Sequence, residues 1–135
     1  MNVLIVGGGK VGGYLAGLLS ASGHRVTVIE ARLDHEARLR RDLPDVTVVS
    51  GDGADPATLE AVGVRSAQIV AAVTGADETN LVITSLARLE FGAPRTVARV
   101  NDPRNAWLFT PEMGVDVVLN QADVVAHLIA HEMGE

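Results

Sequence analysis

Short apolar runs alternate with amphipathic stretches along the whole chain. Valine- and isoleucine-rich runs at 2–7 (NVLIVG), 25–30 (RVTVIE), 46–50 (VTVVS), 68–73 (QIVAAV), 95–100 (RTVARV) and 115–119 (VDVVL) predict six strands. Their nearly continuous apolar character is that of strands covered on both faces. Helical spacing fills the gaps, at about 10–22, 34–42, 56–62, 77–91, 103–112 and 121–133. Six β–α units in strict alternation predict an α/β fold, a doubly wound parallel sheet in a single domain spanning 1–135. Right-handed crossovers from a first strand that carries a glycine turn give the six-stranded order 3-2-1-4-5-6.

The punctuation supports these elements. Ser22-Gly23-His24 should stop the first helix through a left-handed glycine. Asp55-Pro56 and Asp102-Pro103 each pair an N-cap with proline at the first helical position. Phe91-Gly92-Ala93-Pro94 closes the fourth helix. The first helix should lay Val11, Leu15, Leu18 and Leu19 on the sheet, with Gly13, Ala16 and Gly17 keeping the approach close.

Composition narrows the chemistry. A length of 135 residues, 47% hydrophobic and 21% charged, suits one soluble globular domain. With no cysteine, disulfides, thiol nucleophiles and thiolate metal sites are excluded. The net charge of −6 is dispersed, and no Lys/Arg cluster marks a nucleic-acid footprint. No apolar stretch approaches a bilayer span and the N-terminus carries no leader pattern, so the expectation is a cytoplasmic protein without direct membrane insertion.

The candidate chemistry begins at Gly7-Gly8-Gly9-Lys10-Val11-Gly12, a G-x-G-x-x-G between a strand and a helix. There Gly7 permits the tight turn, Gly9 lets a pyrophosphate approach the backbone, and Gly12 lets the helix pack on the sheet. The helix N-terminus offers free N–H groups and a positive dipole end to phosphates. Glu30 ends the second strand 23 residues beyond Gly7, where a carboxylate accepts bonds from ribose hydroxyls and repels a 2′-phosphate. Ala31 and Arg32 follow it, and Arg32 offers a cation to such a phosphate. Lys10, the only lysine, is either a phosphate contact or an ordinary solvated side chain. Gly51-Asp52, Thr74-Gly75, Asn80 and Arg99 follow on the carboxyl edge of the sheet, where open α/β folds bind ligands. Turn and cap chemistry alone accounts for Thr74, Asp77 and Asp102 taken singly.

A dehydrogenase is the rival class, as a small NAD-dependent oxidoreductase or its isolated cofactor domain. Hydride transfer needs an acid–base residue beside the nicotinamide. The only tyrosine, Tyr14, has no Tyr-x-x-x-Lys partner; His24 falls in a turn and His35 at a surface-like helix start. His127 and His131 share the last helix at i,i+4 spacing without the glutamate of a zinc-protease motif. Trp107-Leu108-Phe109 concentrates bulky groups on the fifth helix, either as core or as a dimer face, and Val124, Val125, Leu128 and Ile129 make the last helix a candidate to cross to a partner subunit.

The stretches VLIVGGGKVGGYLAGLLSASGHRVTVIE, VVSGDGADPATLEAVGV, AAVTGADETNLVITSLARLEFGAPRTVARVNDP and MGVDVVLNQ together closely resemble the TrkA N-terminal family, also called RCK or KTN domains. These are Rossmann-fold regulators of potassium channels and transporters. The resemblance implies a regulatory domain that binds NAD(H) or an adenine nucleotide (ATP/ADP), associates as a dimer or ring, and acts on a membrane-embedded potassium transporter or channel subunit. It places Gly7, Gly9 and Gly12 in the phosphate loop, Glu30 at the ribose, Asp52 near adenine, and Thr74 and Arg99 along the cleft. Lys10 stands where many members have arginine, which keeps the charge and loses the bidentate fork. Many members also continue into a separate C-terminal ligand-binding domain, and this chain ends after the sixth unit.

Overall fold

The computed structural model describes residues 1–134. Its six strands are β1 (Asn2–Val6), β2 (Arg25–Glu30), β3 (Thr47–Ser50), β4 (Ile69–Ala72), β5 (Arg95–Val100) and β6 (Val117–Asn120). All pairings are parallel and the spatial order is β3-β2-β1-β4-β5-β6, as the crossover rule predicts. The change of direction beside β1 opens a crevice at the carboxyl edge, which is where ligands bind in such sheets. Five α-helices flank the sheet: α1 (Lys10–Ala21), α2 (Leu33–Asp42), α3 (Pro56–Ala61), α4 (Asp77–Ser85) and α5 (Gln121–Glu132). Among the described residues, no helix is long and apolar enough to cross a membrane.

The alternation of side chains along β1 explains why so few polar residues occur in it. Val3 and Ile5 join the core beneath α1 and α2, whereas Leu4 and Val6 join the core beneath α3 and α4. A third cluster of Ala98, Val100, Phe109 and Val115 closes the β5 side. The caps also form as expected. Asp55 accepts from the Ala57 N–H at 2.9 Å and Asp102 from the Arg104 N–H at 3.0 Å. Gly23, at φ +91°, ends α1 with the His24 N–H returning to the Leu19 carbonyl.

Four local expectations are corrected. Leu18 does not pack on the sheet: it is half-exposed, and the buried residues of α1 are Gly12 and Ala16, with Val11, Leu15 and Leu19 partly buried beside them. The helix over 103–112 is instead two 3-10 turns, Pro103–Leu108 and Pro111–Met113. Pro111 holds the preceding Thr110 in an extended conformation, at φ −115° and ψ 160°, which a continuous helix could not accommodate. At the end of the first turn Leu108 is partly buried and Trp107 exposed, and Phe109, just after it, is buried. The 77–91 segment is α-helical only to Ser85 and then widens into a π turn over Leu86–Glu90, where the Phe91 N–H reaches the Leu86 carbonyl and Phe91 enters the core. Finally, β6 starts at Val117 and not at 115, because Gly114 is left-handed and Asp116 is drawn aside to accept from the Thr96 N–H.

Candidate nucleotide cleft

The loop after β1 is shaped by its glycines. Gly7 sits at φ +113° with the β4 end packed against it: a Cβ there would stand 3.0 Å from Val73 and Thr74 backbone atoms. A Cβ on Gly12 would fall 1.7 Å from the Gly7 carbonyl oxygen, and one on Gly8 would fall 2.3 Å from Leu39. Gly7 and Gly12 are therefore demanded by backbone contacts, whereas at Gly8 the end of the Leu39 side chain would have to move. Gly9 differs. It is the N-cap of α1 at φ −72°, and the nearest atom to a Cβ on it would be an Arg32 nitrogen at 3.6 Å. No side chain caps α1 and no acidic residue lies in its first turn, so its leading N–H groups are left for an outside acceptor.

Across the crevice, Glu30 is only 4% exposed and its carboxylate is held on several sides. Oε1 accepts from the Gly8 N–H at 3.3 Å and the Arg32 guanidinium at 2.9 Å, and Oε2 accepts from the Ala31 N–H at 2.8 Å and the Arg32 N–H at 3.3 Å. His35 Nδ1 lies 3.3 Å from Oε1. Burial pushes this carboxyl upward, but the Arg32 side chain, the Arg32 and Gly8 N–H groups and the Arg32 charge outweigh it and hold the pKa below the ordinary value. His35, expected on the surface, is mostly buried against Glu30, because it sits in the first turn of α2, directly after the strand end.

Beside Gly7 and Glu30 lies an open cleft of ≈ 400 Å³. Gly7, Glu30, Ala31, Arg32, Gly51, Asp52, Thr74 and Gly75 all line it, so eight of the fifteen expected residues meet there. Asp52 is exposed and its Oδ1 accepts from the Ala54 N–H at 2.9 Å, which folds the loop after β3. Thr79 also lines the cleft, as do Gly53 and Ala76, which were not expected. Gly53 carries a packing signal visible only in three dimensions, since a Cβ on it would fall 2.2 Å from Val6.

The remaining expected residues lie elsewhere. Gly8, Gly9 and Lys10 border a smaller hollow between α1 and α2, with Arg38. Lys10 is exposed and makes no ion pair among the described residues. Val11 faces an apolar groove beside Val97 and Leu119, and Gly12 is buried under the loop. Asn80 is fully buried and supports the cleft from behind: its Oδ1 accepts from the Thr74 N–H at 2.9 Å, and its Nδ2 donates to the Thr74 and Arg99 carbonyls at 3.0 and 2.9 Å. The Arg99 side chain turns to Gln121 Oε1 at 3.0 Å, with its Nε buried and without an acceptor.

Asp77 completes the support. Its Oδ1 accepts from the Asn101 N–H and Nδ2, and its Oδ2 from the Asp102 N–H and Asn105 Nδ2, at 2.6–3.0 Å. Burial raises this carboxyl, and the four donors together hold it below the ordinary aspartate value. The start of α4 is thereby tied to the end of β5. Asp77 was legible in the sequence as turn chemistry, but its partners 24 to 28 positions away were not.

Chemically, the arrangement offers a buried carboxylate acceptor in a glycine-lined cleft, with the uncapped N–H groups of α1 beside it. Among the described residues, no group of three or more potential ligands could hold a metal ion.

A family model described as the TrkA-N domain matches residues 3–121. The chain is 40% identical over 129 residues to the Trk system potassium uptake protein TrkA of Mycobacterium tuberculosis, a match covering 96% of this chain and 58% of that protein. The chain thus spans little more than half the length of that relative. Among solved structures, the TrkA-N domain of the inner membrane protein ybaL from Escherichia coli superposes with a TM-score of 0.84 at 23% identity, covering 96% of this chain and 94% of that one. The Kef CTD of Shewanella denitrificans, in an AMP-bound form, superposes with a TM-score of 0.78 at 25% identity, covering all of this chain and 83% of that one.

Proposed function

This chain belongs to the TrkA-N domain family, and from that premise we propose that it is the nucleotide-sensing regulatory domain of a potassium-uptake system. The ligand is NAD(H) or an adenine nucleotide of the ATP/ADP class, laid across the cleft with its phosphates on the start of α1 and its ribose at Glu30. The observation that carries this reading is Gly9. Nothing within the fold requires glycine there, yet it caps a helix whose first N–H groups have no side-chain acceptor, with the Arg32 guanidinium 3.6 Å from where a Cβ would stand. The AMP-bound relative of the same fold supports an adenine nucleotide as ligand.

The nucleotide is read and not turned over. Thr74, Gly75 and Thr79 line the cleft together with Glu30 and Asp52. Bound nucleotide biases the arrangement of paired copies through its differential affinity for two arrangements, and a membrane-embedded potassium transporter or channel subunit reads the difference. The domain therefore works in the cytoplasm at the inner face of the membrane, held there through its partner. Self-association, as a homodimer or larger ring, is supported by α5, on which Val124, Val125, Leu128 and Ile129 are all exposed.

Calorimetric titration with NAD⁺, NADH, ATP, ADP and NADP⁺ tests the proposal. Binding of at least one of the first four is expected, with NADP⁺ weaker than NAD⁺ because Glu30 opposes a 2′-phosphate. Failure of all five overturns it. Oxidation of NADH with a panel of small carbonyl compounds would instead establish the oxidoreductase class.

A further inference from the structure

We propose that Arg32 couples ribose recognition to phosphate recognition, and so makes the cleft select phosphorylated adenosines over adenosine itself; this rests on the nucleotide reading of the cleft. Five groups surround the Glu30 carboxylate. Three are main-chain N–H groups of Gly8, Ala31 and Arg32, fixed by β2 and the glycine loop. The fourth, His35, is rooted in α2 with its side chain only 20% exposed. Only the Arg32 guanidinium can leave, since its side chain is 58% exposed and reaches the carboxylate from the solvent side.

The same guanidinium stands beside the phosphate position. Its Nη2 donates to Glu30 Oε1 at 2.9 Å and lies 3.6 Å from where a Cβ on Gly9 would project. A ribose hydroxyl that donates to Oε1 must displace Nη2. A phosphate resting on the start of α1 then offers that nitrogen a new anionic acceptor a short rotation away. Adenosine supplies the displacement without the acceptor, leaving the guanidinium with water alone. A phosphorylated ligand supplies both, so the ion pair is exchanged and not lost. The planar fork of arginine suits a phosphate in a way that a lysine ammonium does not. Glu30, still held by three N–H groups, stays in place for the ribose while Arg32 moves.

Titration of the wild-type protein and Arg32→Ala with adenosine, AMP and ADP tests this, with thermal melting as a check that the exposed substitution leaves the fold intact. In Arg32→Ala, adenosine should bind about threefold or more tighter, because its competitor for Oε1 is gone. ADP should bind about tenfold or more weaker, because a charge-assisted contact is lost. The preference for ADP over adenosine therefore collapses, and Arg32→Lys restores part of it. Changes by one common factor for all three ligands, or no change for any, overturn the proposal while leaving the nucleotide reading intact. Wild-type protein that binds none of the three overturns the nucleotide reading, and the proposal with it.

Discussion

Substituting Gly9 by aspartate separates the needs of the fold from those of the ligand. Gly9 has φ −72° and ψ −162°, which aspartate adopts without strain, and its Cβ direction is open apart from the Arg32 guanidinium at 3.6 Å. Aspartate is among the best N-cap residues, better than glycine by a few tenths of a kcal/mol, and its charge favours the helix N-terminus by about 0.3–1 kcal/mol. The ligand-free protein should therefore be as stable as wild type or gain up to about 1 kcal/mol, a rise in melting temperature of roughly 2–4 °C. Binding should fail for two reasons: the cap carboxylate occupies the N–H groups of the first turn, and it stands against the phosphate. Two unit charges about 4 Å apart near a protein surface repel by about 4 kcal/mol, which corresponds to roughly a thousandfold loss of affinity. Salt screening reduces this, so a loss of at least about thirtyfold is the expectation. Differential scanning calorimetry and isothermal titration on the same samples read both effects. Unchanged affinity in a well-folded Gly9→Asp protein would refute the placement of phosphates on α1. A large loss of stability would refute the account of Gly9 as a glycine that the fold does not need.

Three further predictions probe the scaffold and its surface. Gly12→Ala should cost about 3 kcal/mol or more in urea unfolding, because its Cβ would fall on the Gly7 carbonyl; a cost under about 1 kcal/mol would contradict the close packing of α1. Asp77→Asn sets an amide NH₂ against two of the four donors, and should destabilise by about 2 kcal/mol at neutral pH. Because the folded pKa of Asp77 is depressed, its contribution is fully present above the unfolded value near 4 and fades as pH falls through the folded value; the acid limb of the stability profile should therefore be shallower in Asp77→Asn than in wild type. Leu128→Glu, at a position 63% exposed on α5, should leave the melting of the isolated chain within about 0.5 kcal/mol while shifting the mass in sedimentation toward the monomer; an unchanged assembly would place self-association on another surface.

The strand order and the residues that meet in the cleft beside Gly7 and Glu30 were legible because each rests on local signals. The Gly7-to-Gly12 spacing, the Val/Ile runs and Glu30 at a strand end carry their meaning within a few residues, and the structure brings Gly7, Glu30, Asp52 and Thr74 to one cleft. What escaped depends on contacts between distant segments. His35 resembles a surface histidine until α2 turns it toward Glu30, and Asn80 resembles a cleft residue until its amide is seen bonded to Thr74 and Arg99. Leu18 fits an amphipathic pattern, but the glycine-rich face of α1 brings the backbone itself onto the sheet and leaves Leu18 at the edge. In the fifth crossover the signal was present and outweighed: Pro111 breaks the pattern, yet the apolar Trp107-Leu108-Phe109 run suggested a continuous helix.

Backbone amide NMR during nucleotide titration tests the central claim most directly, because it reports where the ligand sits without altering the protein. On saturation with ADP or NAD⁺, the largest shift changes should fall on the N–H groups of Gly9, Lys10 and Val11, and on Ala31 and Arg32 beside the Glu30 carboxylate. Changes centred on the opposite edge of the sheet, around Asn2, Thr47 and Ser66, or no changes at saturating nucleotide, would contradict it.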